Sequence, residues 1–339
     1  ELTHNDTKRE KKTALHLAVE NGNLEIVKLL CSNNRIYINE KAIDCYPSCD
    51  DTREMKTPIY IAIENNHVDI VQYLASIERI KINLKSTYER WWNGGKEEYE
   101  EKAPLNLAAE IGNLDILKIL LSIPYIDVNI ELIEFYTTSN LSYVYKRKET
   151  SFLIAIDKGH YDIVELLLSN IKNDAKALSI KEYRYYQYER KKQFKTPLFL
   201  AVEKNDVKMV ELLLSSNKID IDEGIINIGG GNNLRNMKPI DTYYPQQRKD
   251  KNRPKRVKKQ RRLNYLNKRK DNCTTNGVFS QQKKDENTQR YLKIEEEEDT
   301  DDDFDFNYKI YQRMTPLEAS RKIKNDKIIQ ILEKVSHET

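Results

Sequence analysis

The chain has 339 residues, of which 39% are hydrophobic and 33% carry a charge. Lys and Arg total 57 against 54 Asp and Glu, and this near balance gives no overall indication of nucleic-acid binding. No apolar run approaches the ~20 residues that a membrane-spanning helix needs. No apolar stretch near the first residue resembles a signal peptide, and four cysteines are too few for a disulfide scaffold of this size. We therefore expect an intracellular protein, cytoplasmic or nuclear, without membrane contact.

One sequence pattern occurs six times along the chain, and each copy predicts two short helices. Thr followed by Pro marks the start of the first helix, because Thr caps a helix and Pro suits its first position. Apolar residues at helical spacing then give the second helix a buried face. The copies begin at Thr13, Thr57, Ala103, Thr150, Thr196 and Thr315. A left-handed residue should end the first helix, and the residues predicted for that place are Gly22, Asn66, Gly112, Gly159 and Asn205.

A helix pair of this size cannot bury both of its apolar stripes alone, whereas stacked neighbours can, so the repeats predict a solenoid. The pattern Thr-Pro-Leu-x-Leu-Ala-x-x-x-Gly-x-x-x-Ile-Val-x-Leu-Leu resembles the ankyrin repeat, and the resemblance covers all six copies. It implies an all-α solenoid with β-hairpin fingers, an ankyrin-repeat stack of about six helix-turn-helix units. Only the first copy keeps the family's His at the fourth position, His16, and we expect the other five copies to lose its local hydrogen bonds.

The spacing between the first five copies is longer than an ankyrin unit. Their starts lie 44 to 47 residues apart, whereas an ankyrin unit has about 33 residues. Because the helical part of each copy is intact, the extra residues belong to the finger region. Residues 87–92 and 96–99 flank an Asn-Gly-Gly turn, and residues 133–136 and 141–145 flank a polar one. We expect long fingers lying side by side, with tyrosines, including those of residues 183–188, pairing across strands.

The composition changes between the fifth and sixth copies. We predict ankyrin-type repeats one to five with long finger loops in residues 1–224, a low-complexity basic and acidic insertion, largely disordered, in 225–310, and a C-terminal capping repeat in 311–339. Residues 248–270 carry a net charge of +12, and residues 295–305 carry −9. The nearly neutral chain therefore contains two opposed blocks of charge.

The basic block has three interpretations. Its Lys-Arg-x-Lys run at Lys255, Arg256 and Lys258 fits a nuclear import signal, and a second cluster after 11 residues fits the two-part form. Phosphate neutralisation would instead give non-specific nucleic-acid binding, and a solvated charge run is the third interpretation. The residues concerned are Lys255, Arg256, Lys258, Lys259, Arg261, Arg262, Lys268, Arg269 and Lys270.

The eighth position of each copy is a candidate surface for partner binding. It holds an acid in five copies, and the ankyrin resemblance places it at the exposed end of the inner helix, on the concave face. The acids would favour a basic partner, unless the lysines that precede most copies neutralise them. Adjacent tryptophans at a predicted finger tip contact either a partner or a neighbouring finger. The candidate residues are Glu20, Asn21, Glu64, Asn65, Trp91, Trp92, Glu110, Ile111, Asp157, Lys158, Glu203 and Lys204.

The sequence gives no indication of catalysis. No His and Cys residues have the spacing of a metal site, and no phosphate-binding loop, kinase signature or Gly-x-Ser-x-Gly turn is present. We expect no enzyme activity, cofactor, metal or small-molecule substrate. The resemblance implies a non-catalytic scaffold that binds other proteins through the concave inner-helix face and the finger tips. The alternative is a nuclear regulatory factor whose basic segment 248–270 binds nucleic acid or masks the repeats.

Overall fold

Six pairs of short helices follow one another in the computed structural model. The structure describes residues 9–46, 50–92, 97–137, 143–170, 172–185, 189–221, 224–230 and 309–338, all within a compact unit of Glu1–Leu234 and Tyr308–Thr339. The inner helices are α1 (Ala14–Glu20), α3 (Pro58–Glu64), α5 (Pro104–Ile111), α7 (Ser151–Lys158), α9 (Pro197–Glu203) and α11 (Pro316–Ile323). The outer helices are α2 (Leu24–Cys31), α4 (Val68–Ala75), α6 (Leu114–Leu121), α8 (Tyr161–Ser169), α10 (Val207–Leu214) and α12 (Asp326–Glu338).

The inner helices begin and end where the sequence predicts. Thr57, for example, caps α3 by accepting a hydrogen bond from the backbone N–H of Tyr60, and Pro58 is the first helical residue. Left-handed backbone follows each of the first five inner helices, with φ between 58° and 82° at the two predicted asparagines and three predicted glycines. The predicted chain reversals between paired helices are therefore confirmed.

The core runs along the stack between successive helix pairs. One apolar residue of each outer helix from α4 onward is completely buried against the preceding pair: Ile70, Ile116, Ile163, Met209 and Ile328, each at most 1% exposed. The equivalent residue of α2, Ile26, is 46% exposed, because no preceding helix pair is among the described residues. This contrast shows that stacking, and not the individual pair, buries the apolar face.

An antiparallel sheet runs alongside the helices, so the expectation of an all-α solenoid is wrong. In the described residues it has eleven strands, and each strand pairs with the next in chain order. The strands are β1 (Arg9–Lys11), β2 (Ala42–Tyr46), β3 (Asp50–Lys56), β4 (Ser86–Trp92), β5 (Glu97–Lys102), β6 (Glu131–Thr137), β7 (Tyr143–Thr150), β8 (Ser179–Tyr185), β9 (Glu189–Lys195), β10 (Ile225–Gly230) and β11 (Lys309–Met314).

The sheet is continuous because neighbouring fingers pair with each other as well as within themselves. Two strands per repeat, each about 4.8 Å wide, advance the sheet by about 10 Å, which matches the 8–10 Å between packed helices. Helices and fingers therefore advance by the same distance per repeat, and among the described strands only β1 and β11 have an open edge. The predicted pairing of tyrosines is confirmed, since the rings of Tyr145 and Tyr183, on adjacent fingers, lie 5.3 Å apart.

The end of the fifth repeat differs in detail from the sequence analysis. Residues 225–230, which were assigned to the insertion, form β10 and pair with both β9 and β11. The last two strands thus make a further finger ahead of the final helix pair. Residues 231–308 lie outside the described residues, so the proposed domain limits remain a prediction.

Candidate partner-binding groove

Each finger meets its inner helix at a corner that holds an ion pair. The lysine before the helix reaches the acid at its far end, and the pairs are Lys12–Glu20 at 2.7 Å, Lys56–Glu64 at 2.9 Å, Lys102–Glu110 at 2.7 Å and Lys195–Glu203 at 2.6 Å. The predicted column of acids is therefore present and is neutralised by lysines. These pairs fix the angle between finger and helix at one edge of the concave face.

The charges at the third corner are strongly coupled. Burial alone would lower the pKa of Lys102, but Glu100 and Glu110 outweigh it, so the pKa is raised. Burial alone would likewise raise the pKa of Glu110, and Lys102 and Lys158 outweigh it in the opposite direction. Lys158, at 3.3 Å, joins Glu110 to the next repeat.

The fourth corner is built differently. Glu149 stands where the other corners have lysine, is only 2% exposed, and accepts a 2.6 Å hydrogen bond from the hydroxyl of Ser179. Arg147, two residues earlier on the same face, pairs with Glu149 and lies 3.8 Å from Asp157. Burial alone would lower the pKa of Arg147. Because Glu149 and Glu134 outweigh burial, the pKa of Arg147 is raised. Lys204 of the next repeat also binds Asp157, at 3.0 Å.

A groove of about 630 Å³ lies between the sheet and the inner helices of the middle repeats. Its aromatic residues are Tyr60, Tyr88, Tyr99, Phe135, Tyr136 and Tyr145, and its acids are Glu54, Glu64, Glu98, Glu100 and Glu134. A smaller hollow of about 280 Å³, lined by Glu20, Asp44 and Asn65 among others, adjoins the first corner. Burial, reinforced by Glu100 and Glu64, raises the pKa of Tyr60. The Tyr60 phenol therefore stays neutral and presents both an apolar ring and a hydroxyl.

One row of residues crosses the strands on the sheet face that borders this groove, and we call it the floor row; Glu54, Tyr88, Glu100 and Glu134 line the groove itself, and the row continues beyond it on both sides. Its members lie opposite one another in the register from β1 to β9, in the order Glu10, Asp44, Glu54, Tyr88, Glu100, Glu134, Arg147, Lys181 and Gln193. Acids occupy five of the first six positions, and cations occupy the next two. The floor row thus changes sign once, between β6 and β7, where Arg147 and Glu134 are 3.3 Å apart.

Trp91 is not among the residues that line the groove. Trp91 is half-buried and lies opposite Asp51 and Glu97. Neighbouring strand residues point to opposite faces, and Tyr88 and Arg90 line the groove, so Trp91 is on the other face of the sheet. The side chain of Trp92 and the whole basic block 248–270 lie outside the described residues, and their roles remain predictions.

The remaining candidates lie at inner-helix ends. Asn65 lines the small hollow next to Glu64, whereas Ile111 is 43% exposed. Lys158 and Lys204 bind acids of neighbouring repeats, and Asn21 follows Glu20 as the cap of α1. Of the helix-end candidates, Glu64 lines the groove and Glu20 and Asn65 line the adjoining hollow, and partner binding by any of them remains a prediction.

Sequence reasoning missed the floor row and one local substitution. We expected copies without His at the fourth position to lose its hydrogen bonds, which is wrong for the third copy. His16 bonds the backbone N–H of Thr13 and the carbonyl of Glu40. Asn106 accepts from the N–H of Ala103 at 3.1 Å and donates to the carbonyl of Ile130 at 2.9 Å. The Asn106 side chain thus makes hydrogen bonds equivalent to the two made by His16. An amide carries both a donor and an acceptor, so this substitution could have been predicted from the sequence.

Comparison with known proteins agrees with this architecture. The family model for ankyrin repeats (3 copies) matches residues 1–86, 40–131 and 130–225. A solved ankyrin repeat domain from Acinetobacter baumannii AYE is 17% identical, with a TM-score of 0.38, covering 60% of this chain and 81% of that chain. A search of the curated proteins found no match. Among the described residues, no helix has the length and apolar character needed to cross a bilayer, and no three His, Cys, Asp or Glu residues are grouped to hold a metal ion.

Proposed function

This chain belongs to the ankyrin-repeat family, and on that premise we propose that it is a non-catalytic scaffold that binds a partner protein in the groove between sheet and inner helices. Ankyrin repeats are in general protein-binding modules. The observation that carries the proposal is the groove itself, in which five tyrosines and five acids converge on one concave surface. Tyrosine is common among the residues that contribute most to binding energy at protein interfaces.

Preorganisation supports the same function. Side chains of the groove stand on strands that are hydrogen-bonded on both sides and on helices tied to them by the corner ion pairs. Little conformational entropy is then lost when a partner binds, so more of the contact energy appears as affinity.

The test is affinity capture with a matched control. We would replace Tyr88 and Tyr136 with Ala, and in a control replace Tyr37 and Tyr125, which are 81% and 48% exposed and lie outside the groove. Proteins bound by the unaltered chain should be recovered at least about fivefold less with the groove variant and unchanged with the control. Equal recovery with both variants, at equal thermal stability, would contradict the proposal.

Two predicted surfaces remain as further proposals. Trp91 and Trp92 would form a second contact site at the finger tip, tested by the same capture with both changed to Ala. The alternative role, a nuclear factor acting through residues 248–270, rests on the sequence alone. Replacing Lys255, Arg256 and Lys258 with Ala should move a fluorescent fusion out of nuclei if the import interpretation holds, and nucleic-acid binding should weaken steeply with salt.

A further inference from the structure

We propose that the groove selects a bipolar peptide segment of the partner, with a Lys- and Arg-rich end over the first three repeats and an anionic end at Lys181. This inference rests on the proposed function and names the chemistry of the partner. It follows from the order of charges in the floor row and from the surroundings of one lysine.

Within the floor row itself the order of charges is unfavourable for the fold, although lysines beside the row bind Asp44, Glu54 and Glu100. Asp44 is directly opposite Glu54, Glu100 is opposite Glu134, and Arg147 is opposite Lys181. Like charges facing each other across strands destabilise a sheet, whereas alternating signs would stabilise it. Departures from local rules of stability concentrate at functional sites. The separated charges are therefore complementary to a ligand that brings the opposite pattern.

The acidic part of the groove has an excess of negative charge. The larger groove is lined by five acids and three bases, the latter being Lys56, Arg90 and Lys102. The adjoining hollow adds Glu20 and Asp44 to the acids and no further base. Lys and Arg side chains of a bound segment would supply the missing positive charge and could stack on Tyr88 and Tyr136.

Lys181 marks the other end of the site. It is half-buried, and its side-chain ammonium makes no hydrogen bond or ion pair with the residues that the structure describes. Its neighbours across the strands are Arg147 and Gln193, and Lys195 adds a second cation from β9. The nearby acids Glu149 and Glu203 are already paired, with Arg147 and Lys195. Burial, together with Lys195, lowers the pKa of Lys181. An anion from outside the chain would supply the counter-ion that the fold does not.

The spacing of the floor row fixes the length of the segment. From β3, which carries Glu54, to β8, which carries Lys181, there are five strand intervals, or about 24 Å at ~4.8 Å each. An extended peptide covers this distance with about seven residues. A carboxylate and a phosphoryl group are both suitable anions for Lys181, since a lysine binds either as a point charge.

The probes are three fluorescein-labelled synthetic peptides that share a basic end, Lys-Arg-Lys-Arg, and a Ser-Ala spacer of five residues. The other end is Glu-Asp-Glu in the first, Gln-Asn-Gln in the second, and two phosphoserines in the third. Fluorescence anisotropy with the full chain measures their affinities, and each peptide is also made with its two ends exchanged, because the floor row does not define the chain direction.

We expect Lys181→Gln to lower the affinity for the two anionic peptides about tenfold and to leave the affinity for the Gln-Asn-Gln peptide unchanged. Glu54→Gln should weaken all three, and Lys208→Gln, on the exposed side of α10, should weaken none. The ratio of the affinities of the first and third peptides shows whether the site prefers a carboxylate or a phosphoryl group. The proposal is overturned if Lys181→Gln affects all peptides equally, or if no peptide binds. In the latter case, loss of captured proteins with the tyrosine variant would still support the groove as an interface.

Discussion

Nε2 of His160 lies 3.1 Å from the carbonyl oxygen of Glu110, across the boundary between the third and fourth repeats. The ring occupies space that Gly112 leaves open, since a Cβ on Gly112 would stand 2.5 Å from Cε1 of His160. His67 and Gly22 repeat this relationship at the first boundary. At the second boundary the pair is Asn66 and Asn113, whose side-chain amides bond each other. Residues at these two positions are therefore matched as pairs.

Gly112→Asn should lower the free energy of unfolding by about 2 kcal/mol, because the new side chain meets the His160 ring. Adding His160→Asn should restore most of the loss, since an Asn–Asn pair occurs naturally at the neighbouring boundary. Urea unfolding of the two single variants and the double variant measures the coupling. Additive effects would show that the two positions are independent.

Removing Lys181 should stabilise the protein. Lys181→Gln relieves its opposition to Arg147 and should raise the free energy of unfolding by about 0.5 kcal/mol at pH 7. Because the folded pKa of Lys181 lies below the ordinary 10.5, the unfolded chain binds the extra proton between these two values. The stability of the unaltered chain, measured relative to the variant, therefore rises with pH across that window. A variant that is less stable at pH 7 would contradict this account.

Removing the lysine of one corner ion pair should destabilise the protein. Lys102→Met leaves Glu100 and Glu110 together without their shared cation, only partly compensated by Lys158. We expect Lys102→Met to lower the free energy of unfolding, measured with urea, by about 2 kcal/mol. The control Lys208→Met, on the exposed side of α10, should lower it by less than about 0.5 kcal/mol. A loss no larger than that of the control would mean that the corner pairs are dispensable.

The corner pairs also predict a response to acid. The pKa values of Glu110 and Asp157 are lowered from 4.5 and 3.8 despite burial, because of Lys102 and Lys204 respectively. Their contribution is complete above the ordinary values and is lost as pH falls through the folded ones. Stability should therefore decline below about pH 4.5, and less steeply in Glu110→Gln. Glu165→Gln, on the exposed face of α8, should leave the slope unaltered; an equal slope in Glu110→Gln would argue against the assignment.

The pairing between fingers can be measured by amide hydrogen exchange. A strand with neighbours on both sides has all of its N–H groups bonded, whereas an edge strand has only every second one bonded. Residues 97–101 of β5 pair with both β4 and β6, so consecutive amides should be protected to a similar degree. Alternating fast and slow exchange would show that the fingers are separate hairpins.

Local signals predicted the helical part of this fold well. Asn66 and Asn205 were expected in left-handed backbone because Asn tolerates that conformation, and lysines before the repeats were expected near the acids eight positions later. Both depend on residues close together in sequence. The continuous sheet was not predicted, because the register between fingers joins residues such as Glu100 and Glu134 through packing of whole repeats. The floor row, and with it Lys181, becomes visible only once nine strands are aligned.

The sheet also changes how the array should come apart. In a stack held by helices alone, an internal repeat can open after breaking two helical interfaces. Here the same event must also separate the strands of the two flanking fingers from their neighbours. Fraying should therefore begin at the terminal repeats and proceed inward, leaving the groove of the central repeats among the last regions to melt.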